Sequence, residues 1–410
     1  MEPLEQQIRE RVLAQLDLSR EISDEALLSL IQTTICETGR KEHLTIAQRV
    51  CLQRKIFYGL RKWDVLEDLL SDDSITEIMI NGPDTIFIER GGRIEKTNLT
   101  FSSRDKLDDV IQKMVATNNQ RVNASHPIVD TKLADGSRIN IVLPPVAVDH
   151  SIVSIRKFPK NRITMERLVA LESLSQDMVE FIRVLVIAGY NIFVSGSTGS
   201  GKTTLLNAMA EFIPREERVI TIEDSAELQL LDVENLVRLE AREATMEGKY
   251  AVTIRDLVRT SLRMRPDRII VGECRGSEAV EMLQAFNTGH DGSFSTGHAN
   301  SAQDMLARLE TMALTAGELP LEAIRAQIAA GIDIIIHLGR LRDKSRKVLE
   351  MTEVMGMEQG RIRLQPLFVF EETTVAEEVE GQWIQKNKLH HTDKLLRTMG
   401  RLDGIVTKFV

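Results

Sequence analysis

Eight residues constrain this chain more than any others. The segment GSTGSGKT (196–203) satisfies the pattern GxxxxGK[ST]. Average composition gives such a match by chance in roughly one per cent of chains this long. Its surroundings are those the motif requires: an apolar strand at 191–195 runs into it, and a helix starting at Thr203 runs out of it. Gly196, Gly199 and Gly201 let the backbone turn with its N–H groups inward, which makes an anion nest at a helix N-terminus. Ser197, Thr198, Ser200 and Thr204 complete the loop and the first turn. Lys202 brings a mobile positive charge to β- and γ-phosphates, and the Thr203 hydroxyl can ligate Mg²⁺. The expected ligand is a nucleotide, and the motif does not choose between adenine and guanine.

Hydrolysis of a bound nucleotide needs a group that orients water and a group that supports the metal. Two apolar runs read as strands ending in acids: VITIED (219–224) reaches Glu223 and Asp224, and RIIVGE (268–273) reaches Glu273. Strand C-termini face the ligand crevice of an open α/β sheet. Either glutamate could serve as the base while the other supports Mg²⁺ through water. Gly272 stands where the second nucleotide motif usually places Asp. GHDGSFSTGH (289–298) holds His290 and His298 eight residues apart. A zinc site needs a third ligand, which is not evident. A neutral imidazole hydrogen-bonding near the γ-phosphate is the better reading. Arg255, Arg259, Arg263, Arg265 and Arg268 cluster on or just after an expected helix at 252–264, as a solvated basic face or as charge stabilisation at a nucleotide. Arg138 and Arg156 fall in two late strands of an earlier segment, where they suit arginine fingers delivered across a boundary.

The remainder of the chain organises itself around this core. Its 410 residues exceed one ordinary domain. Residues 1–70 read as helices, with Leu4, Ile8, Val12 and Leu16 at fourfold spacing. Residues 71–158 read as a small α/β domain with a mostly antiparallel sheet. Its strands are at 75–80, 85–90, 93–98, 132–144 and 152–158, and its helix carries Leu107, Val110, Ile111, Met114 and Val115 behind a Ser102 or Ser103 cap. The linker is 159–163, within FPKNR (158–162) and the next residue. From 164 to 410, alternating helices and strands imply a parallel sheet covered on both faces. DIIIHLG (333–339), KVLEMTEV (347–354) and IRLQPLFVFE (362–371) read as added antiparallel strands. With 61 acidic and 52 basic residues the net charge is −9, and aromatics are 4%. Both facts argue against a nucleic-acid partner. Three cysteines, Cys36, Cys51 and Cys274, form no CxxC pair, which speaks against zinc and for a reducing compartment. No apolar run reaches the roughly 20 residues of a membrane span, so a cytoplasmic location is expected.

Taken in order, the phosphate loop, ITIEDSAEL (220–228), IIVGECRG (269–276) and GHDGSFSTGHA (289–299) resemble the boxes of the secretion ATPase superfamily, the motors of type II and type IV secretion and of type IV pili. The likeness covers about residues 71–370. Within it, ITEIMINGPDTIFIERGGRIEKT (75–97), ADGSRINIVLPP (134–145) and VSIRKF (153–158) are most similar to the CpaF family of Tad pilus assembly ATPases. The type IV secretion traffic ATPases are the nearest competitor. The resemblance implies a RecA-like motor domain with a parallel sheet core, a preceding PAS-like domain, a homo-hexameric ring, ATP with Mg²⁺ between the domains, and docking on an inner-membrane platform protein. It implies phosphate and Mg²⁺ binding by Lys202 and Thr203, hydrolytic roles for Glu223 and Glu273, γ-phosphate sensing by His298, and nucleotide contact by Arg138 and Arg156.

Overall fold

The structure, a computed structural model, describes residues 2–16, 22–42, 44–61, 63–118, 120–158, 162–242, 251–317, 319–373, 377–398 and 409. The chain divides into two compact units, Met1–Lys160 and Asn161–Val410. Residues 159–161 of the segment read as a linker lie outside the described residues.

The first unit opens with α1 (Glu2–Gln15), α2 (Asp24–Glu42) and α3 (Ile46–Arg61). Fourfold-spaced apolar residues, among them Ile8 and Val12, Leu27, Ile31 and Ile35, and Leu52 and Ile56, bury against one another, the expected outcome for helices with one apolar stripe each. The chain continues through α4 (Leu66–Ser71), β1 (Ile75–Asn81), β2 (Ile86–Arg90), β3 (Arg93–Lys96), α5 (Arg104–Ala116), β4 (Ile128–Lys132), β5 (Arg138–Val142) and β6 (Ile152–Arg156). Among the described residues, six strands form an antiparallel sheet in the order β3-β2-β1-β6-β5-β4. Ile78 and Ile80 of β1, Ile139 and Ile141 of β5, and Val153 and Ile155 of β6 share a core with Leu107, Val110, Ile111, Met114 and Val115 of α5. Ser103 caps α5 by accepting the Lys106 N–H. The Lys106 ammonium, itself buried, donates to the Gly59 carbonyl at 2.7 Å and so ties α5 to the end of α3. The segment 132–144 is not one strand. It holds the end of β4, a turn with Gly136 at φ +89°, and then β5.

The second unit runs α6 (Met165–Ala170), α7 (Gln176–Ile187), β7 (Ile192–Gly196), α8 (Lys202–Met209), β8 (Arg218–Glu223), β9 (Asn235–Glu240), α9 (Ile254–Ser261), β10 (Arg268–Val271), α10 (Ala279–Asn287), β11 (Phe294–Gly297), α11 (Ala302–Thr315), α12 (Leu321–Gly331), β12 (Ile334–Arg340), β13 (Arg346–Glu358), β14 (Arg361–Glu372), β15 (Gly381–Gln385) and α13 (Asp393–Thr398). The described strands make one sheet in the order β15-β14-β13-β12-β7-β11-β10-β8-β9. From β12 to β9 neighbouring strands are parallel, and from β12 to β15 they are antiparallel. Strands β7, β10 and β11 are buried at every position. Their alternate residues feed two cores: Ile192 and Val194 point into one with α7 and α8, and Phe193 into the other with α10, α11 and α12. This is the α/β, RecA-like arrangement, with both sheet faces covered.

One expected strand has a different role. DIIIHLG is not an added antiparallel strand. As β12 it pairs in parallel with β7, with Leu338 opposite Gly196. An isoleucine run suits burial on both faces, so it sits inside the sheet, and the antiparallel strands are added beyond it.

Candidate nucleotide site

Strand β7 ends and α8 begins at the two borders of the phosphate loop. Gly201 caps α8 at φ +100°, a conformation that residues with a Cβ adopt only under strain. A Cβ on Gly196 would lie 2.5 Å from the Leu338 carbonyl oxygen and 2.6 Å from Ser200 Oγ, so the turn fits only glycine there. Ser200 Oγ is buried without a hydrogen-bond partner among the described residues. Ser197, Thr198 and Gly199 are exposed, and Thr203 and Thr204 are half-buried on the first helical turn. A glycine-built cradle with an orphan hydroxyl in it fits a phosphate group. Thr203 at the second helical position fits a Mg²⁺ ligand.

Lys202 is 7% exposed. Its Nζ donates to the carbonyls of Gly196 and Ser197 at 3.1 and 3.0 Å and stands 3.2 Å from His298 Nδ1. An ammonium has only donors to offer, so His298 Nδ1 accepts and its proton sits on Nε2. That nitrogen faces Glu273 Oε1 at 2.9 Å. Burial and then the Lys202 charge lower the His298 pKa, against the pull of Glu273. Both effects favour the neutral imidazole, with Nδ1 against the Lys202 ammonium and Nε2 against the Glu273 carboxylate.

The two acids differ sharply. Glu223 closes β8 and is 4% exposed. Its Oε1 accepts the N–H groups of Glu227 and Leu228 at 2.9 and 3.0 Å, and its Oε2 is buried without a hydrogen-bond partner among the described residues. Burial raises its pKa to about 7 against the opposing effect of those backbone bonds. A Cβ on Gly272 would lie 2.8 Å from Glu223 Cγ. Glycine in place of the usual aspartate thus leaves the space that Glu223 fills. Glu273 is not at a strand end, because β10 stops at Val271 and Glu273 lies on the loop beyond. Its Oε2 accepts from Arg275 at 2.7 Å. Burial pushes its pKa up, but Arg275, His298 and Lys202 outweigh burial and hold it below the usual value.

The arginine cluster disperses. Arg255 and Arg259 on α9 both reach Glu281 Oε1, at 2.6 and 2.7 Å, and Arg268 is 1% exposed and paired with Glu217. Their charges are met by glutamates of the same chain. Arg263 and Arg265 fall beyond the end of α9, which is shorter than the expected helix. His290 bonds back to the Ala285 carbonyl at 3.1 Å rather than facing the loop. In the first unit, β5 and β6 put Arg138 directly opposite Arg156. Sequence reasoning missed His337 on β12. Its buried Nδ1 lies 2.8 Å from Ser195 Oγ, one residue before the phosphate loop. Nothing in its local pattern marks it, because the contact depends on β12 lying beside β7.

Residues 60–402 match the family described as Type II/IV secretion system protein. A putative conjugal transfer protein of Mycobacterium tuberculosis (strain ATCC 25618 / H37Rv) is 35% identical over 305 residues, spanning 73% of this chain and 86% of the relative. The type IV secretion system protein VirB11 of Brucella suis biovar 1 is 35% identical over 311 residues, spanning 68% of this chain and 83% of the relative. The X-ray structure of the Yersinia pseudotuberculosis ATPase DotB superposes with a TM-score of 0.50 at 15% identity over 84% of each chain, a likeness of fold. With the family match running over residues 60–402 and relatives at 35% identity over most of their length, the chain belongs to the type II/IV secretion ATPase family.

Proposed function

We propose that the chain is the ATP-hydrolysing motor of a Tad-type pilus assembly machine. It works as a homo-hexamer at the cytoplasmic side of the inner membrane, through a platform protein in that membrane. The observation that carries the hydrolytic reading is the line of contacts from Lys202 through His298 to Glu273, beside the loop glycines. The Tad assignment is supported by the blocks at 75–97, 134–145 and 153–158. The likeness to VirB11 supports the second reading, a type IV secretion traffic ATPase. Among the described residues no helix is long and apolar enough to cross a membrane.

In this reading the amides of 196–203 and the Lys202 ammonium hold the phosphate tail. Thr203, with Glu273 acting through water, would hold Mg²⁺, which would neutralise charge on the phosphates. Glu223, with a pKa near neutrality and Oε2 unengaged, takes the proton from the attacking water. Glu273 keeps His298 in its Nε2–H tautomer, so Nδ1 faces the phosphate side and reports what Lys202 is bonded to. Arg138 and Arg156 are brought to the nucleotide by the first unit of a neighbouring chain.

Calorimetry with ATP and magnesium tests the site. Wild-type protein should bind, and Lys202→Ala should weaken binding roughly 10- to 100-fold, the loss of a charge-assisted contact. Equal affinity in the two proteins would remove the basis of the reading. Light scattering with a non-hydrolysable ATP analogue should give a particle near six chains.

A further inference from the structure

Like charges placed directly opposite each other on an antiparallel pair destabilise it. Strands β12 and β13 nevertheless set Arg340 directly opposite Arg346, at the base of their connecting turn. The hairpin RLRDKSRK (340–347) carries five basic residues and one acid. Three of its four other charges are engaged, and the fourth, Lys344, is exposed between the two strands. Arg342 pairs with Glu372 at 2.6 Å. Lys347 donates to the Glu172 carbonyl at 3.0 Å and lies over the rings of Phe370 and Trp383. Asp343 turns inward and accepts the N–H groups of Ser345 and Val379 at 2.9 and 3.0 Å. Arg340 and Arg346 are exposed, and among the described residues neither meets a carboxylate.

Both side chains border the phosphate loop. Arg340 Nη1 comes within 4.0 Å of the point where a Cβ on Gly199 would stand, and Arg346 Cδ within 3.8 Å of that point on Gly201. The pairing of Leu338 with Gly196 fixes this proximity in the sheet itself. We propose that Arg340 and Arg346 are a second set of phosphate ligands, contributed by the same chain as the loop, for the di- or triphosphate tail of the nucleotide. Water screens the two guanidinium groups from each other when they are free. A phosphate tail gives both one shared anion, and the planar fork of arginine matches phosphate oxygens with two parallel N–H donors. The proposal rests on the nucleotide reading of the loop and adds to it two residues that lie outside its motifs.

The test is calorimetry of the full chain with ATP, ADP and AMP in the presence of magnesium. The variants are Arg340→Ala, Arg346→Ala, both together, and the double lysine variant, each with a thermal melt in the absence of nucleotide. Each alanine should weaken ATP about tenfold and AMP much less, because AMP lacks the tail. The melting temperatures should stay level or rise as like charges are removed. The double lysine variant should recover part of the loss. Wild-type affinity for ATP in the double alanine variant overturns the proposal, and if ring assembly is lost at that unchanged affinity the pair belongs to a subunit contact instead. An equal loss for AMP and ATP also overturns it. Failure of wild-type protein to bind any nucleotide would sink the loop reading itself, a result distinct from either of these.

Discussion

Replacing Glu223 by glutamine should change how stability depends on pH more than stability itself. Burial raises the Glu223 carboxyl from an ordinary 4.5 to about 7. A raised folded-state pKa means that the protonated form is the one the fold favours. Its contribution is complete below the unfolded value and disappears as pH rises through the folded value. Between about pH 5 and about pH 8.5 the linkage relation gives a loss of ~2.5 kcal/mol from this one group. Glutamine has the same shape, keeps an oxygen for the N–H groups of Glu227 and Leu228, and does not titrate. Its buried Nε2 adds a cost, but that cost is constant with pH. The difference in unfolding free energy between variant and wild type should therefore move by ~2.5 kcal/mol in favour of glutamine across that range. Urea titrations followed by Trp383 fluorescence, in a Trp63→Phe background, report the unit that contains Glu223, since Trp63 and Trp383 are the two tryptophans. Parallel curves at the two pH values would refute the buried, charge-averse account of Glu223, and with it the argument for Glu223 as the base.

Gly272→Ala places a Cβ 2.8 Å from Glu223 Cγ and should cost about 1–3 kcal/mol by overpacking. A thermal melt with no shift would mean that the site has slack. Arg268→Ala leaves Glu217 and the Gly292 carbonyl without their buried partner and should cost about 3 kcal/mol; a change below ~1 kcal/mol in urea unfolding would count against the pair. Arg156→Ala should lower ATP turnover in assembled protein and leave ATP affinity of dilute single chains unchanged, as read by phosphate release and calorimetry. Loss of affinity in single chains would contradict delivery by a neighbour.

Much of the fold was legible because its signals are local. The glycines of 196–201 fix a strand-to-helix turn wherever they occur, and the Ser103 cap with the stripe of α5 specifies that helix without outside help. Strand β4 was not legible as a separate element. Ile128–Lys132 is an edge strand following Pro127 with a single buried residue, so burial leaves little apolar pattern on it. β12 was misread for another reason. An isoleucine run announces burial on both faces but not the direction of its neighbours, and direction is a property of the whole sheet. The site divides along the same line. Lys202 and Thr203 sit inside a contiguous motif. The unequal burial of Glu223 and Glu273 depends on Gly272 and on where β10 stops. His337, Arg340 and Arg346 reach the loop only through a strand pairing that spans more than 130 residues of sequence. The Arg255, Arg259 and Arg268 cluster read as available charge because their acids, Glu281 and Glu217, lie 22 or more positions away along the chain.

Placing β12 at the shoulder of β7 also gives the strands after residue 331 a structural task. Cutting the protein back to a compact nucleotide-binding module by stopping near residue 331 would not trim an appendage. It would strip one whole ladder from the strand that leads into the phosphate loop, lay bare its amides and carbonyls, and remove Leu338 from against Gly196. Strands β13 to β15 extend that border ladder by ladder, so a change in the outer strand β15 is joined to the strand before the phosphate loop through hydrogen-bonded neighbours.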